Sequence, residues 1–233
     1  MTNTPAGTPG PHVFVESLDA LHLDDDDRAH LGKSLRMRDG DSLTASDGRG
    51  NWRPAIYASA GPLQADGAVV SIAERAQPIT VAFSLVKGSK PELVIQKLTE
   101  LGVDRIVVLA AERSVVKWDD EKVSKAQARW QRIIREAAMQ SHRVRLPEVT
   151  AVVPAVEWLV RPEVALAHFG GAAIGLAHHS VAIGPEGGWS DMELAANDRR
   201  ITLGATVLRA ETAAIAAGTL LTAAADHPQS DVG

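Results

Sequence analysis

The sequence predicts an α/β protein in two parts, a small β-barrel followed by a larger region of strands and helices alternating on a parallel sheet. Three observations carry that expectation. Short apolar runs separated by turn signals fill the chain up to Ala76. Past Gln77-Pro78 the pattern changes to strand-helix alternation. Late in the chain, two apolar runs too brief for helices lead into glycine-bearing turns, Gly184-Pro185-Glu186-Gly187-Gly188 and Leu203-Gly204-Ala205-Thr206. Turns that leave parallel strands emerge at one sheet edge, where bare backbone holds small ligands.

Residues 1–10 read as a disordered tail, 11–76 as the barrel and 77–233 as the α/β region. Candidate barrel strands cover residues 12–16, 42–45, 54–59 and 68–73, parted by Arg38-Asp39-Gly40-Asp41 and Ser46-Asp47-Gly48-Arg49-Gly50. The acidic run 24–27 imitates a metal site, but a helix start or solvated loop explains it better. The second region opens with a strand over 80–86. Ser89-Lys90-Pro91-Glu92 then has the form of a capping box with proline in the first turn. The helix that follows carries Val94, Leu98 and Leu101 on one line and closes at Gly102. Residues 105–110 complete a β-α-β unit. After a basic helix come short strands over 164–168 and 181–183, then a second capping box, Ser190 to Glu193, that starts another helix. A strand over 201–203 and an alanine-rich helix over about 211–225 end the fold.

The chain has 233 residues, 45% hydrophobic and 23% charged, enough for a sizeable core. No apolar run approaches the roughly 20 residues that span a bilayer. The first residues lack the basic and apolar regions of a signal peptide, so a cytosolic address is expected. Without cysteine there is no disulfide, thiolate zinc site, cysteine-ligated cluster or cysteine nucleophile. His168, His178 and His179 have no carboxylate or thiolate partners nearby in sequence, so no metal is expected. Neither G-x-G-x-x-G nor a phosphate loop occurs, which removes support for dinucleotide and ATP chemistry.

A net charge of -5 excludes a diffusely cationic coat but not a local basic face. Lys122, Lys125, Arg129, Arg132, Arg135, Arg143 and Arg145 stand against the single acid Glu136. Helical spacing sets Lys122, Lys125, Arg129 and Arg132 along one side, beside a stripe of Ala126, Trp130, Ile133, Ile134 and Ala137. Two readings fit this helix, a solvated face and a phosphate-binding face.

A set of motifs in fixed order runs through the chain: Lys87-Gly88 with Gln96-Lys97-Leu98-Thr99-Glu100-Leu101-Gly102-Val103; Glu112-Arg113-Ser114-Val115-Val116-Lys117-Trp118; Arg129-Trp130 through Gln140-Ser141-His142-Arg143 to Pro147; and the two glycine turns, the second continuing to Arg209-Ala210-Glu211-Thr212. From about His12 onward the sequence resembles the RsmE family, bacterial 16S ribosomal RNA methyltransferases of the SPOUT superfamily that modify ring nitrogen 3 of one uridine. Leu35-Arg36-Met37 and Asp47-Gly48-Arg49-Gly50 match that family's PUA-like RNA-binding domain. The resemblance implies a deep trefoil knot in the second domain, although knots are otherwise nearly absent from proteins. It also implies an obligate homodimer and S-adenosylmethionine held in the knot at the subunit interface.

The donor would lie on Gly184, Pro185, Glu186, Gly187, Gly188 and Gly204, with Leu166, Ile183, Leu203 and Leu208 around the adenine. Methylation at N3 requires loss of a weakly acidic imide proton while a sulfonium donor lies in line with the nitrogen. No covalent intermediate is needed, in keeping with the absent cysteine. Arg209 and Glu211 are the candidate catalytic residues; for Glu211 a salt-linked helix start is the competing reading. Arg36, Arg38, Arg113, Lys125, Arg129, Arg132, Gln140 and Arg143 are the candidate RNA contacts. The chain departs from the family pattern at Met139, where an acid is usual, at His142, where glycine is common, at Ser46, where an aromatic is usual, and in a shortened segment 169–180 that puts a helix there in doubt. Two other functions stay open: a non-catalytic RNA-binding assembly factor for the ribosome, and a SPOUT methyltransferase with another RNA target.

Overall fold

The computed structural model describes residues 4–226. Of the tail expected over residues 1–10, residues 1–3 lie outside the described residues. Residues 4–10 form bends, with Thr8 N–H donating to Pro5 O at 2.9 Å and Pro5 buried. The chain divides into two compact units, Met1–Arg75 with Arg135–Leu146, and Ala76–Ile134 with Pro147–Gly233.

The first unit contains β1 (His12–Phe14), α1 (Asp25–Ala29), a π-helical turn (His30–Ser34), β2 (Ser42–Ser46), β3 (Asn51–Ile56), β4 (Gln64–Ala65) and β5 (Val70–Ser71). Its sheet runs β1-β2-β3-β4 with β5 also on β3; β1 pairs parallel to β2 and the other pairs are antiparallel. Val13, Leu31, Leu43, Ala45, Ala55 and Tyr57 are buried together. The acidic run is a helix start, since the Asp24 carboxylate accepts the Asp27 N–H at 2.7 Å and caps α1. Burial pushes the Asp27 carboxyl up from its ordinary range, opposed by the Arg135 guanidinium paired with it.

Segment Arg135–Leu146 belongs with this unit through hydrogen bonds that a division along the sequence cannot express. Val144 O accepts both Ser46 Oγ at 3.0 Å and Gly50 N–H at 3.1 Å, while Leu146 N–H donates to Gly48 O at 3.0 Å. Ser46 is itself fully buried, so a hydroxyl in place of an aromatic supplies a tie rather than bulk. His142 sits at φ 55, a conformation that suits glycine better. Its ring stacks on His12 at 5.7 Å. Burial and the neighbouring His142 push the His12 imidazole down to about 3.

The second unit contains β6 (Thr80–Ser84), α2 (Lys90–Glu100), β7 (Arg105–Ala110), α3 (Asp120–Gln140, its last residues counted with the first unit), β8 (Glu148–Pro154), α4 (Ala155–Leu159), β9 (Val164–Ala173), a 3-10 turn (Leu176–His178), β10 (Ser180–Ile183), α5 (Asp191–Ala195), β11 (Arg200–Thr202) and α6 (Ala210–Asp226). Six strands lie in the order β11-β9-β10-β6-β7-β8, and every pairing is parallel. β6 and β10 are buried along their whole length, as strands covered on both faces are.

The sequence reading missed β8 and α4. At α2 the expected capping box does not form: Ser89 has φ -88 and ψ 10 and makes no side-chain cap bond, and Glu92 lies 3.7 Å from Arg129 instead. The helix does close at Gly102, whose φ of 85 lets Val103 N–H return to Leu98 O at 3.0 Å. α6 packs on α2 at Gly218, where a Cβ would stand 2.6 Å from Leu98 Cδ2. Segment 169–180 holds the end of β9 and the 3-10 turn, with no α-helix. Between Arg200 and Ile201 of β11 the partner on β9 jumps from Leu166 to Ala172, so residues 167–171 loop out of the ladder.

Candidate active site

β9, β10 and β11 run parallel, so the segments leaving their C-terminal ends meet at one edge of the sheet. There they enclose a pocket of about 420 Å³. A first wall comes from Ile183, Gly184, Pro185, Glu186 and Gly188, a second from Leu203, Gly204, Thr206, Val207 and Leu208, and Ala167, His168 and Phe169 of the β9 excursion also line it. The size lies within the range of about 300–1,000 Å³ usual for small-molecule sites.

The first wall is tightly built. Trp189 is buried, its indole N–H donates to Ala167 O at 3.2 Å, and its ring lies against Gly184 so closely that a Cβ there would be 3.0 Å from Cε2. Gly188 N–H donates to Pro185 O at 2.9 Å and closes the turn. The expected capping box of α5 is present: Ser190 Oγ accepts Glu193 N–H, and the Glu193 carboxylate accepts Ser190 N–H at 2.8 Å. The second wall is open. Gly204 has φ 142, its missing side chain would meet nothing within 4 Å, and Val207 is 83% exposed. Only a backbone of this kind leaves peptide groups bare toward a ligand.

Of the residues expected to hold a ligand, Ile183, Gly184, Pro185, Glu186, Gly188, Leu203, Gly204 and Leu208 line the pocket. Leu166 does not; it is fully buried in the cluster with Ala82, Leu109 and Trp189. Gly187 also lies off the lining, because it faces Arg113, whose carbonyl oxygen and Cβ would be 3.2 and 3.3 Å from an added Cβ. Arg113 itself lines the pocket and donates to Trp189 O at 2.9 Å. Its ion pair with Asp191 at 3.5 Å is solvent-screened and holds it weakly.

Arg209 and Glu211 stand just past the second wall, outside the lining. Arg209 is exposed and its carbonyl accepts Ala213 N–H at 2.8 Å, opening α6. Glu211 is paired with Lys90 at 2.9 Å, a partner that sequence spacing could not supply. Burial would raise the Glu211 carboxyl, but hydrogen bonding and charge from Lys90, with its own backbone N–H and Arg209, hold it below the ordinary range.

Among the candidate RNA contacts of the second unit, Lys125 pairs with Glu121 at 2.6 Å, both about three-quarters exposed; Arg129 approaches Glu92; and Arg132 is exposed. Trp130 and Ile134 of the apolar stripe beside them are fully buried. In the first unit Arg36, at φ 56, and Arg38 are exposed, as is Gln140, while Arg143 is half-buried. Arg135 and Arg145 are engaged internally with Asp27 and Glu74. Among the described residues no group of acids and histidines is arranged to hold a metal, and no helix is long and apolar enough to cross a membrane.

A family model described as the RNA methyltransferase domain matches residues 73–222, and one for the RNA methyltransferase PUA domain matches residues 23–70. The protein is an RNA methyltransferase. Ribosomal RNA small subunit methyltransferase E of Mycobacterium bovis is 34% identical over 221 residues, covering 84% of this chain and 83% of that one. The Synechocystis protein of the same name is 35% identical, covering 79% and 66%. Two solved structures are similar in fold. A Legionella pneumophila methyltransferase with bound SAM aligns at a TM-score of 0.77 and 28% identity, covering 91% of this chain and 97% of that one. Ribosomal RNA small subunit methyltransferase E of Neisseria gonorrhoeae, bound to S-adenosyl methionine, aligns at 0.77 and 25%, covering 97% and 100%. This chain belongs to the ribosomal RNA small subunit methyltransferase E family.

Proposed function

We infer that the protein transfers a methyl group from S-adenosylmethionine to ring nitrogen 3 of a uridine in the 16S RNA of the small ribosomal subunit. The observation that carries this reading is the pocket between the two glycine turns, in a chain of this family. The donor fits what is there: apolar Ile183, Leu203 and Leu208 suit a purine, and open backbone at 188 and 204 suits ribose and adenine edges. Bound there, the donor supplies an activated methyl on a positively charged sulfonium.

The chain's own residues then have two tasks, holding N3 in line and stabilising the anion left when the imide proton departs. Arg113, at the pocket lining, and Arg209, just past the second wall, carry the positive charge for that anion. Glu211 is kept ionised by Lys90, which makes it a weak base. We therefore assign it to fixing the start of α6 and Arg209 rather than to taking the proton. The exposed cations Lys125, Arg129 and Arg132, with Arg36, Arg38, Gln140 and Arg143, contact RNA. A screened surface pair such as Lys125 with Glu121 exchanges for a phosphate at little cost.

We propose that the protein works as a two-fold homodimer. Ala213 and Ala217 are used within the unit, leaving Thr212, Thr219 and Leu220 on the outward side of α6. Light scattering should give twice the chain mass of 24.7 kDa; a monomer at micromolar concentration overturns the dimer. The family's trefoil knot belongs to the same proposal, and the out-of-sequence order of β9, β10 and β6 supports it. An experimental structure whose chain can be drawn straight from both ends removes the knot.

Mass mapping of 16S RNA nucleosides tests the activity. A deletion strain should lack one N3-methyluridine that the wild-type gene restores, and an unchanged nucleoside map would overturn the assignment. A protein that binds the small subunit but not the donor in calorimetry would be an assembly factor instead.

A further inference from the structure

We propose that Glu193 is a positioning residue whose buried carboxylate locks the turn 111–114, and with it Arg113, against the donor wall. The proposal rests on the reading of the pocket given above. Glu193 is 3% exposed, and its two oxygens accept from two different segments: Oε2 from Ser190 N–H at 2.8 Å and Oε1 from Glu112 N–H at 2.9 Å. Capping α5 needs only the first of these bonds, and glutamine serves that role as well as glutamate. A glutamine side chain, however, offers one acceptor oxygen and one donor amide, so with the two N–H groups on different oxygens one of them would face an amide N–H. Burial of a carboxylate is costly unless its oxygens are hydrogen-bonded, and here the second bond reaches outside the helix.

What that second bond holds is the turn carrying Arg113. Ser114 Oγ donates to Leu85 O at 2.8 Å and ties the turn to the chain just past β6. The Arg113 guanidinium donates to Trp189 O at 2.9 Å, and Arg113 O lies where a Cβ on Gly187 would be only 3.2 Å away. Glu193 supplies the remaining anchor, so the only arginine lining the pocket among the described residues is aimed by a residue that does not line it. Reaching geometry rather than ligand affinity should depend on it, since small misplacements at a reacting centre cost rate steeply.

Two substitutions separate positioning from capping. Glu193→Gln keeps the cap and strands one N–H, whereas Ser190→Ala removes the Ser190 half of the capping box and leaves the Glu193 carboxylate able to hold Glu112. In ligand-free protein, amide exchange at Glu112 should quicken on the order of tenfold in Glu193→Gln and stay near wild type in Ser190→Ala. Single-turnover methylation should slow on the order of tenfold in Glu193→Gln, with S-adenosylmethionine affinity within about threefold of wild type. Equal slowing in both variants, or unchanged Glu112 exchange in Glu193→Gln, would overturn the proposal. Should Glu193→Gln fail to fold, the wild-type protein decides: Glu112 and Ser190 amides share one carboxylate and should open together, and a Glu112 amide exchanging on the order of tenfold faster refutes the lock. Exchange needs no substrate, so a wild-type protein that methylates nothing would remove the proposed function while the exchange data still judge Glu193.

Discussion

The pocket proposed for the donor and the cations proposed for RNA are built on opposite principles. The pocket is shaped by main chain at its two glycine turns and by packed apolar side chains such as Ile183, Trp189, Leu203 and Leu208, with Arg113 and Glu186 also on the lining. The cations are long, exposed side chains, Lys125, Arg129 and Arg132 on α3 in the second unit and Arg36 and Arg38 in the first, with Lys125 and Arg129 loosely paired to Glu121 and Glu92. Shape decides the first and summed charge the second. Substitutions in the pocket should therefore act as steps, and substitutions on the surface as increments that depend on salt.

The largest effect is expected at the tight wall. Gly184→Val drives a branched side chain into Trp189, and overpacking of this kind costs about 1–3 kcal/mol. Calorimetry should find no measurable donor binding and melting should shift downward; wild-type donor affinity would mean that the wall yields and the contrast is overstated. Gly204→Val comes next. A Cβ there would meet nothing within 4 Å, so the main cost is backbone strain, about 1–3 kcal/mol at φ 142. Donor affinity should fall on the order of tenfold while the fold stays intact.

On the surface, Arg129→Gln and Arg132→Gln should each reduce the slope of log affinity against log salt by roughly 0.7–0.9, additively, with donor affinity unchanged. Methylation at wild-type rate across a salt titration would return α3 to a solvated face. The smallest change is expected from Arg36→Gly. Relief of a left-handed residue at φ 56 should stabilise the first unit by about 0.5–1 kcal/mol, while the lost cation still lowers the salt slope. A variant both more stable and weaker toward RNA would show the two contributions to be separable.

Where short-range rules decide the structure, the sequence was legible. The Ser190 to Glu193 capping box, the strand at 105–110 and the closure at Gly102 depend on residues within a few positions of one another. The matching motif at Ser89 to Glu92 does not cap, since Ser89 stands at φ -88 and ψ 10 rather than in the extended conformation of an N-cap, and Glu92 lies beside Arg129, distant in sequence. β8 was hidden because it is an edge strand, half-buried along most of its length and bracketed by Pro147 and Pro154, so no periodic apolar face marks it. Leu166 and Leu208 look alike as apolar neighbours of a turn, and only the pleat of β9 sends the first into the core. Lys90 beside Glu211, and Arg135–Leu146 within the first unit, needed tertiary structure.

The β9 excursion has a consequence of its own. The ladder to β11 is anchored on both sides of residues 167–171, at Leu166 and at Ala172, and Gly171 passes so close to Ile201 that a Cβ would be 2.5 Å from its nitrogen. Between Ala167, whose carbonyl accepts the Trp189 indole N–H, and Gly171, residues 168–170 stand in no register with β10 or β11. Residues can be gained or lost there without shifting a single strand register, and each would redraw the rim where His168 and Phe169 now stand. The fold thus contains a place where insertion and deletion reshape a ligand site while the architecture is inherited unchanged.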